Sequence, residues 1–310
     1  MDIGMIGLGH MGGAMAQRMM EQGHAVVGFD TAPDACARFQ AAGGAVAESP
    51  RAVADRAEIV FACLPGKAAS FDTAFGDRGI VHGRVVKIYV EMSTLGRAAV
   101  ATIADNLSGS GIGFLDAPIS GGPKGAQAGT LTAIVAGAES EIAAARGPLG
   151  TVASNIFVVG DMPGMAQVCK LVNNILSITA MVTSCEAIAM GVKAGLDART
   201  MIDVINVSTG RNSATMDKFP KAILPRTFDY GGPLSIGVKD IDLYLELARD
   251  TRMPAIMGFG VSGLFNHIVA RLGADSDYST MIKVFEEWGD AVVGGEAAPR
   301  KEPESRVAKI

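Results

Sequence analysis

The sequence predicts an α/β protein: a doubly wound, mostly parallel sheet, then an all-α domain, with a long interdomain helix joining the two. Three observations carry that reading. Over roughly the first 160 residues short β-like runs alternate with helical stretches, the pattern of a parallel sheet with crossover helices. The first β-like run ends in a glycine-rich turn that opens a helical stretch. After "GDMPGM" (residues 160–165) the β-like runs all but cease and long helical patterns take over.

In chain order the expected strands are "IGMIG", "AVVGFD", "EIVFACL", "VVKIYVEMS", "GFLDAPI", "LTAIVAG" and "NIFVVG". Helices are expected over 164–194, 197–208, 236–250, 254–272 and 277–292, the first of them long and rich in Val, Leu and Ile. The predicted division is an α/β domain over 1–163, a helical domain over 164–293, and a polar tail over 294–310 with two prolines, expected to be mobile.

Composition narrows the function. A chain of 310 residues can bury two cores. A net charge of −5 offers no basic face for nucleic acid or an anionic membrane. The four cysteines, Cys36, Cys63, Cys169 and Cys185, form no CxxC pair, which suits a reduced compartment. No metal site is expected. The apolar N-terminus lacks a basic leader region and carries Asp2, and residues 253–270 hold Pro254, three glycines, Asn266 and His267. Neither reads as a targeting or membrane segment, so a cytoplasmic protein is expected.

Gly7-Leu8-Gly9-His10-Met11-Gly12 is GxGxxG between a strand and a helix. The first glycine permits a tight turn, the second lets a pyrophosphate approach the backbone, and the third lets helix and sheet pack closely. The helix N-terminus then offers free N–H groups and a positive dipole to the phosphates. This is the fingerprint of a Rossmann-type domain. Asp30 ends the next β-like run, where a carboxylate can accept hydrogen bonds from the adenosine ribose; with no arginine directly after it, the preference is for NAD over NADP. "CLPG" (63–66) and "MSTLG" (92–96) follow two further runs, which puts Leu64, Pro65, Ser93 and Thr94 along the cofactor path.

Ser120-Gly121-Gly122 sets a hydroxyl beside two residues without side chains, a turn that can expose consecutive N–H groups to a carboxylate. In "CKLVNNILS" (169–177), Lys170 and Asn174 are four apart and share a helix face, while Asn173 points elsewhere. A lysine near a helix start and partly buried is pushed below its ordinary pKa of about 10.4, towards the range useful for proton transfer. Lys239-Asp240, in "IGVKDIDLYLELA", places a second lysine at an expected helix start and reads by itself as a solvated charge pair. Arg211 and Asn212, in a turn-like stretch, are weaker candidates for contacts to the far end of a substrate.

Together "GLGHMGGAMA", "DAPISGGPKGAQAGTLT", "GMAQVCKLVNN" and "KDIDL" resemble elements of the β-hydroxyacid dehydrogenase family, the group of 3-hydroxyisobutyrate dehydrogenase, over roughly residues 2–292. The resemblance implies that Gly7, Gly9 and Gly12 bind the pyrophosphate and that Ser120, Gly121 and Gly122 hold a substrate carboxylate. It makes Lys170 the general acid/base, has Asn174 orient the substrate, and sets Lys239 over cofactor and substrate. It also implies that 1–163 is a dinucleotide-binding domain and 164–293 a substrate and oligomerisation domain, in a homodimer or homotetramer. Ala166 stands where the family often has glycine, and the His-Asn-Gly run of the 6-phosphogluconate branch is missing after Lys170. The expected reaction is hydride exchange between the nicotinamide and the hydroxyl-bearing carbon of a small 3-hydroxy acid, with Lys170 moving the hydroxyl proton. A reductase of glyoxylate or of tartronate or succinic semialdehyde would use the same residues. A cofactor-binding module without catalysis fits less well, because Lys170 is present.

Overall fold

The computed structural model describes residues 2–295. The expected tail lies, from residue 296 on, outside the described residues. The chain forms two compact units. One runs to Asn173 and includes Glu246–Arg252; the other holds Asn174–Leu245 and the described residues from Met253 on.

The first unit alternates strands and helices: β1 (Asp2–Ile6), α1 (His10–Glu21), β2 (Ala25–Phe29), α2 (Pro33–Ala41), β3 (Ala45–Val46), α3 (Pro50–Ala54), β4 (Ile59–Ala62), α4 (Lys67–Phe75) and β5 (Ile88–Glu91). It continues with α5 (Arg97–Ser108), β6 (Gly113–Asp116), β7 (Ile119–Ser120), α6 (Gly122–Ala128), β8 (Leu131–Ala136), α7 (Glu139–Val152) and β9 (Ala153–Gly160). The strands form one sheet in the order β3-β2-β1-β4-β5-β6-β8-β7, with β9 also on β8. Pairing is parallel from β3 through to β6 and between β8 and β9; β8 runs antiparallel to β6 and β7.

Strand residues alternate between two cores. Ile3, Met5, Phe61, Val90 and Leu115 face α1 residues Met15 and Met19. Ile6, Val60 and Tyr89 face α5 residues Val100, Ile103 and Leu107. Each such side chain contributes about 1.5–3 kcal/mol on burial, which is why the strands read as continuous apolar runs. The run "GFLDAPI" is two strands rather than one. Pro118 supplies no N–H for a ladder, so the chain leaves β6 at Asp116 and re-enters as β7 on the other partner.

The helix α8 (Met165–Lys193) follows, then α9 (Ala198–Asn206), α10 (Leu234–Asp250), α11 (Ile256–Leu272) and α12 (Ile282–Gly289). By length and composition α8 is apolar enough to cross a membrane, with a mean hydropathy of 1.7; long core helices pass the same test. A π-helix, Ala214–Ile223, was not expected. Pro220 lies inside it and interrupts the apolar period, and the Asn212 side-chain oxygen covers its start by accepting from the N–H groups of Ala214 and Thr215. The helix expected at 277 begins as a 3-10 turn, Tyr278–Met281, capped by Asp277. α10 starts earlier than the sequence suggested, at Leu234, so Lys239 and Asp240 lie a full turn inside it.

Candidate active site

The β1–α1 turn uses its three glycines in three ways. Gly7 has φ +86°, and a Cβ there would lie 2.2 Å from the Cys63 carbonyl oxygen. A Cβ on Gly12 would lie 1.8 Å from the Gly7 carbonyl oxygen, so this glycine closes the turn against α1. A Cβ on Gly9 would meet no heavy atom within 4 Å. Gly9 and His10 are exposed while Leu8 is buried beneath them. No side chain caps α1, and no acid stands in its first turn. The open backbone at Gly9 and the uncapped terminus fit a dinucleotide pyrophosphate, with Leu8, His10 and Met11 completing the loop.

Asp30 holds this loop in place. Its carboxylate accepts from the Leu8 N–H at 2.6 Å and the Ala32 N–H at 2.8 Å. A carboxylate has about four acceptor positions, so two remain for ribose hydroxyls. Asp30 therefore both caps the turn after β2 and stands beside the glycine loop.

The turns after β1, β2, β4, β5 and β6 all lie at the carboxyl edge of the parallel strands, as N–H bonds from Gly7 to Phe29, Cys63 to Ile6, Met92 to Ala62 and Ala117 to Glu91 show. Pro65 is exposed at that edge and Leu64 and Thr94 are half-buried. Ser93 is different: it is buried, and its hydroxyl accepts the Leu64 N–H at 2.7 Å. It holds the β4 turn. Its own N–H donates to Glu91, whose other oxygen accepts from the Tyr89 hydroxyl. Burial raises the Glu91 pKa, opposed by the Ser93 and Tyr89 hydrogen bonds.

Sequence reasoning missed the network that seats the start of α8. Asp116, at the end of β6, accepts N–H bonds from Gly164 and Gln167 on one oxygen and from the Gln167 side-chain amide on the other. The Gln167 carbonyl in turn accepts from the N–H groups of Leu95 and Gly96, and its amide also donates to the Ser93 carbonyl. Asp116 and Gln167 are both fully buried. Two signals were available: an acid closing an apolar strand run, and a glutamine one turn before Lys170 on the same helix.

Burial pushes the Asp116 pKa up to about 6, against the hydrogen bonds that favour its charge. Because the folded value lies above the ordinary carboxylate value, this group's contribution to stability is complete below about pH 4 and falls as pH rises through about 6. Asp116→Asn is expected to lose that pH dependence. Thermal melts of both proteins at about pH 4 and about pH 7 check it: wild type should lose on the order of 1–3 kcal/mol relative to the variant between the two.

Ser120, ending β7, is half-buried, while Gly121 and Gly122 are exposed. Their φ values are +128° and +66°, and a Cβ on Gly122 would meet nothing within 4 Å. The backbone is open at Gly122, where an anion could approach its N–H, whereas a Cβ on Gly121 would lie 3.0 Å from Leu131 Cδ2.

Lys170 is 7% exposed, in the second turn of α8. The field of a helix terminus fades within the first turn, so Lys170 lies beyond its strongest reach. Asn174 shares its face of the helix and Asn173 is exposed. The Asn174 amide N–H donates to Asp240 at 2.7 Å. Asp240 is 6% exposed, so the expected solvated charge pair with Lys239 is instead a buried acid, with the Lys239 ammonium at 3.5 Å from its other oxygen. A carboxylate only accepts, so this bond fixes which way the Asn174 amide faces and turns its carbonyl away from Asp240. Asn212 is spent locally: besides its caps, its amide donates to Ser184 and to the Gly210 carbonyl. Arg211 and Cys169 are exposed.

Comparison with known proteins places the chain. Residues 2–160 match the family model described as the NAD binding domain of 6-phosphogluconate dehydrogenase. Residues 164–285 match the NAD-binding region of NADP-dependent 3-hydroxyisobutyrate dehydrogenase. Human mitochondrial 3-hydroxyisobutyrate dehydrogenase is 32% identical over 92% of this chain and 87% of its own. The chain belongs to the β-hydroxyacid dehydrogenase family. Among other β-hydroxyacid dehydrogenases, the 2-(hydroxymethyl)glutarate dehydrogenase of Eubacterium barkeri is 33% identical over 95% of this chain and 98% of its own. The structure of Mycobacterium tuberculosis 3-hydroxyisobutyrate dehydrogenase with L-serine superposes with a TM-score of 0.82 at 29% identity, covering 91% of this chain and 98% of that one. The resemblance in the motifs and the Rossmann-type fold with its helical second part are thereby confirmed.

Proposed function

We propose that this β-hydroxyacid dehydrogenase oxidises a small 3-hydroxy acid of the 3-hydroxyisobutyrate type, using NAD in preference to NADP. The dinucleotide supplies the redox chemistry, exchange of a hydride with the carbinol carbon. Gly7, Gly9 and Gly12 hold its pyrophosphate, and Asp30 its adenosine ribose, where a carboxylate repels a 2′-phosphate. The chain does the rest. Ser120, Gly121 and Gly122 bind the substrate carboxylate, and Asn174 orients the hydroxyl. Lys170 takes the hydroxyl proton in oxidation and returns it in reduction. Lys239 supplies a second cation to cofactor and substrate. The observation that carries this reading is the buried Lys170 on the α8 face that also presents an orientated Asn174.

The test is NADH or NADPH formation by the purified protein with 3-hydroxyisobutyrate, 4-hydroxybutyrate, glycerate, threonate and serine. Turnover of one acid with NAD supports the reading and names the substrate; cofactor binding with no turnover across the panel counts against it.

Asp240 is a positioning residue on this reading. Asp240→Ala removes the acceptor that orientates Asn174 and is expected to lower kcat/KM roughly ten- to a hundredfold. Asp240→Asn keeps a carbonyl acceptor and should retain most of the activity. Steady-state kinetics with a cofactor titration checks both. Equal losses in the two variants would point to a purely structural effect.

A further inference from the structure

The π-helix carries a cation that the reading above does not use. Lys218 is 8% exposed. Its ammonium has only long contacts, 3.4 Å to the Ser213 carbonyl and 3.4 Å to the Ser213 hydroxyl, and it stands 5.4 Å from the centre of the Tyr230 ring. The neighbouring carboxylate, Asp217, is engaged elsewhere, by the Lys221 ammonium and the Tyr230 hydroxyl. Among the described residues no carboxylate forms an ion pair with Lys218. Burial pulls its pKa below the ordinary lysine value, only partly offset by Asp217. A buried ammonium with only long hydrogen bonds and no direct ion pair is costly unless an anion completes it.

A hydroxyl pair links that ammonium to the α8 face described above. The Ser213 hydroxyl lies 3.2 Å from the Ser177 hydroxyl. Ser177 is three residues after Asn174 and seven after Lys170, on the same side of the helix. Seven residues advance about 10 Å along a helix. A hydroxy acid whose hydroxyl lies against Lys170 therefore reaches the neighbourhood of Lys218 only through a second arm of several carbons.

We propose that Lys218, with Ser213 and Ser177, forms a subsite for a second acidic group, so that the preferred substrate is a 3-hydroxy acid carrying a distal carboxylate rather than a simple monoacid. The inference rests on the reading of the chain as a 3-hydroxy acid dehydrogenase and narrows its substrate class.

Three probes decide it: 3-hydroxyisobutyrate, the same acid with its methyl extended to a propionate arm, and that diacid with the distal carboxylate amidated. The wild-type enzyme should favour the diacid over the amide in kcat/KM by roughly ten- to a hundredfold, the scale of a hydrogen bond to a charged group. Lys218→Met, similar in volume, should erase that ratio mainly through the KM of the diacid. Lys218→Arg should keep part of it. A diacid-to-amide ratio near one in wild type, or a ratio unchanged in Lys218→Met, overturns the proposal. If Lys218→Met does not fold, the wild-type ratio and Lys218→Arg still decide. Turnover of 3-hydroxyisobutyrate without preference for the diacid sinks this subsite alone; no turnover of any probe with NAD or NADP sinks the dehydrogenase reading and the subsite with it.

Discussion

Lys170→Ala is expected to lower turnover by a factor on the order of 10²–10⁴, the usual worth of a positioned general acid/base. The corresponding rise in barrier is about 3–5 kcal/mol. On the proposed mechanism the loss falls on kcat, because the proton moves in the transition state and the carboxylate contacts proposed for Ser120-Gly121-Gly122 are untouched. NAD affinity, measured by calorimetry, should hardly change, since the glycine loop and Asp30 lie on other elements of the sheet edge. Stability is a second readout. Lys170→Met, which keeps most of the side-chain volume, should still melt cooperatively while being as inactive as the alanine variant. A small amine added to Lys170→Ala should restore part of the rate by returning a base to the cavity. Full activity in either variant would remove Lys170 from the chemistry. Activity that falls only in step with unfolding would make it structural.

Much of this arrangement was legible in the sequence because it is written in local chemistry. GxGxxG between a strand and a helix, an acid at the end of the next strand, and Lys170 four residues before Asn174 each state a geometric requirement over a short span. What was not legible depends on partners far apart in the chain. Gln167 meets Leu95, Ser93 and Asp116 across about fifty to seventy residues. Asp240 looks solvated beside Lys239, and its burial shows only when α10 is traced back to Leu234 and its partner is found at Asn174. The π-helix hides behind Pro220, and with it Lys218. Of the polar residues in that stretch, Arg211 and Asn212 drew attention because they sit in a turn. The structure commits Asn212 to capping and buries the lysine six residues further on.

The glycine loop separates packing from binding, and two alanine variants expose the difference. In Gly12→Ala the new methyl would sit 1.8 Å from the Gly7 carbonyl oxygen and 2.9 Å from the Gly7 carbonyl carbon. Both are backbone atoms of the same turn, so α1 must move off β1 or the turn must open. Overpacking of this kind costs about 1–3 kcal/mol, and more where backbone cannot yield. The variant should therefore lose both melting temperature and cofactor affinity. Gly9→Ala meets no atom within 4 Å, and Gly9 has φ −67°, which alanine adopts without strain. Its melting temperature should match wild type. Its NAD affinity should nevertheless fall at least about tenfold if the pyrophosphate binds as proposed, because the methyl then occupies its path to the α1 terminus. Thermal melts and NAD calorimetry on the pair give a two-by-two result. Gly9→Ala binding NAD as tightly as wild type would mean that the pyrophosphate does not lie on this loop, whatever Gly12→Ala does to the fold.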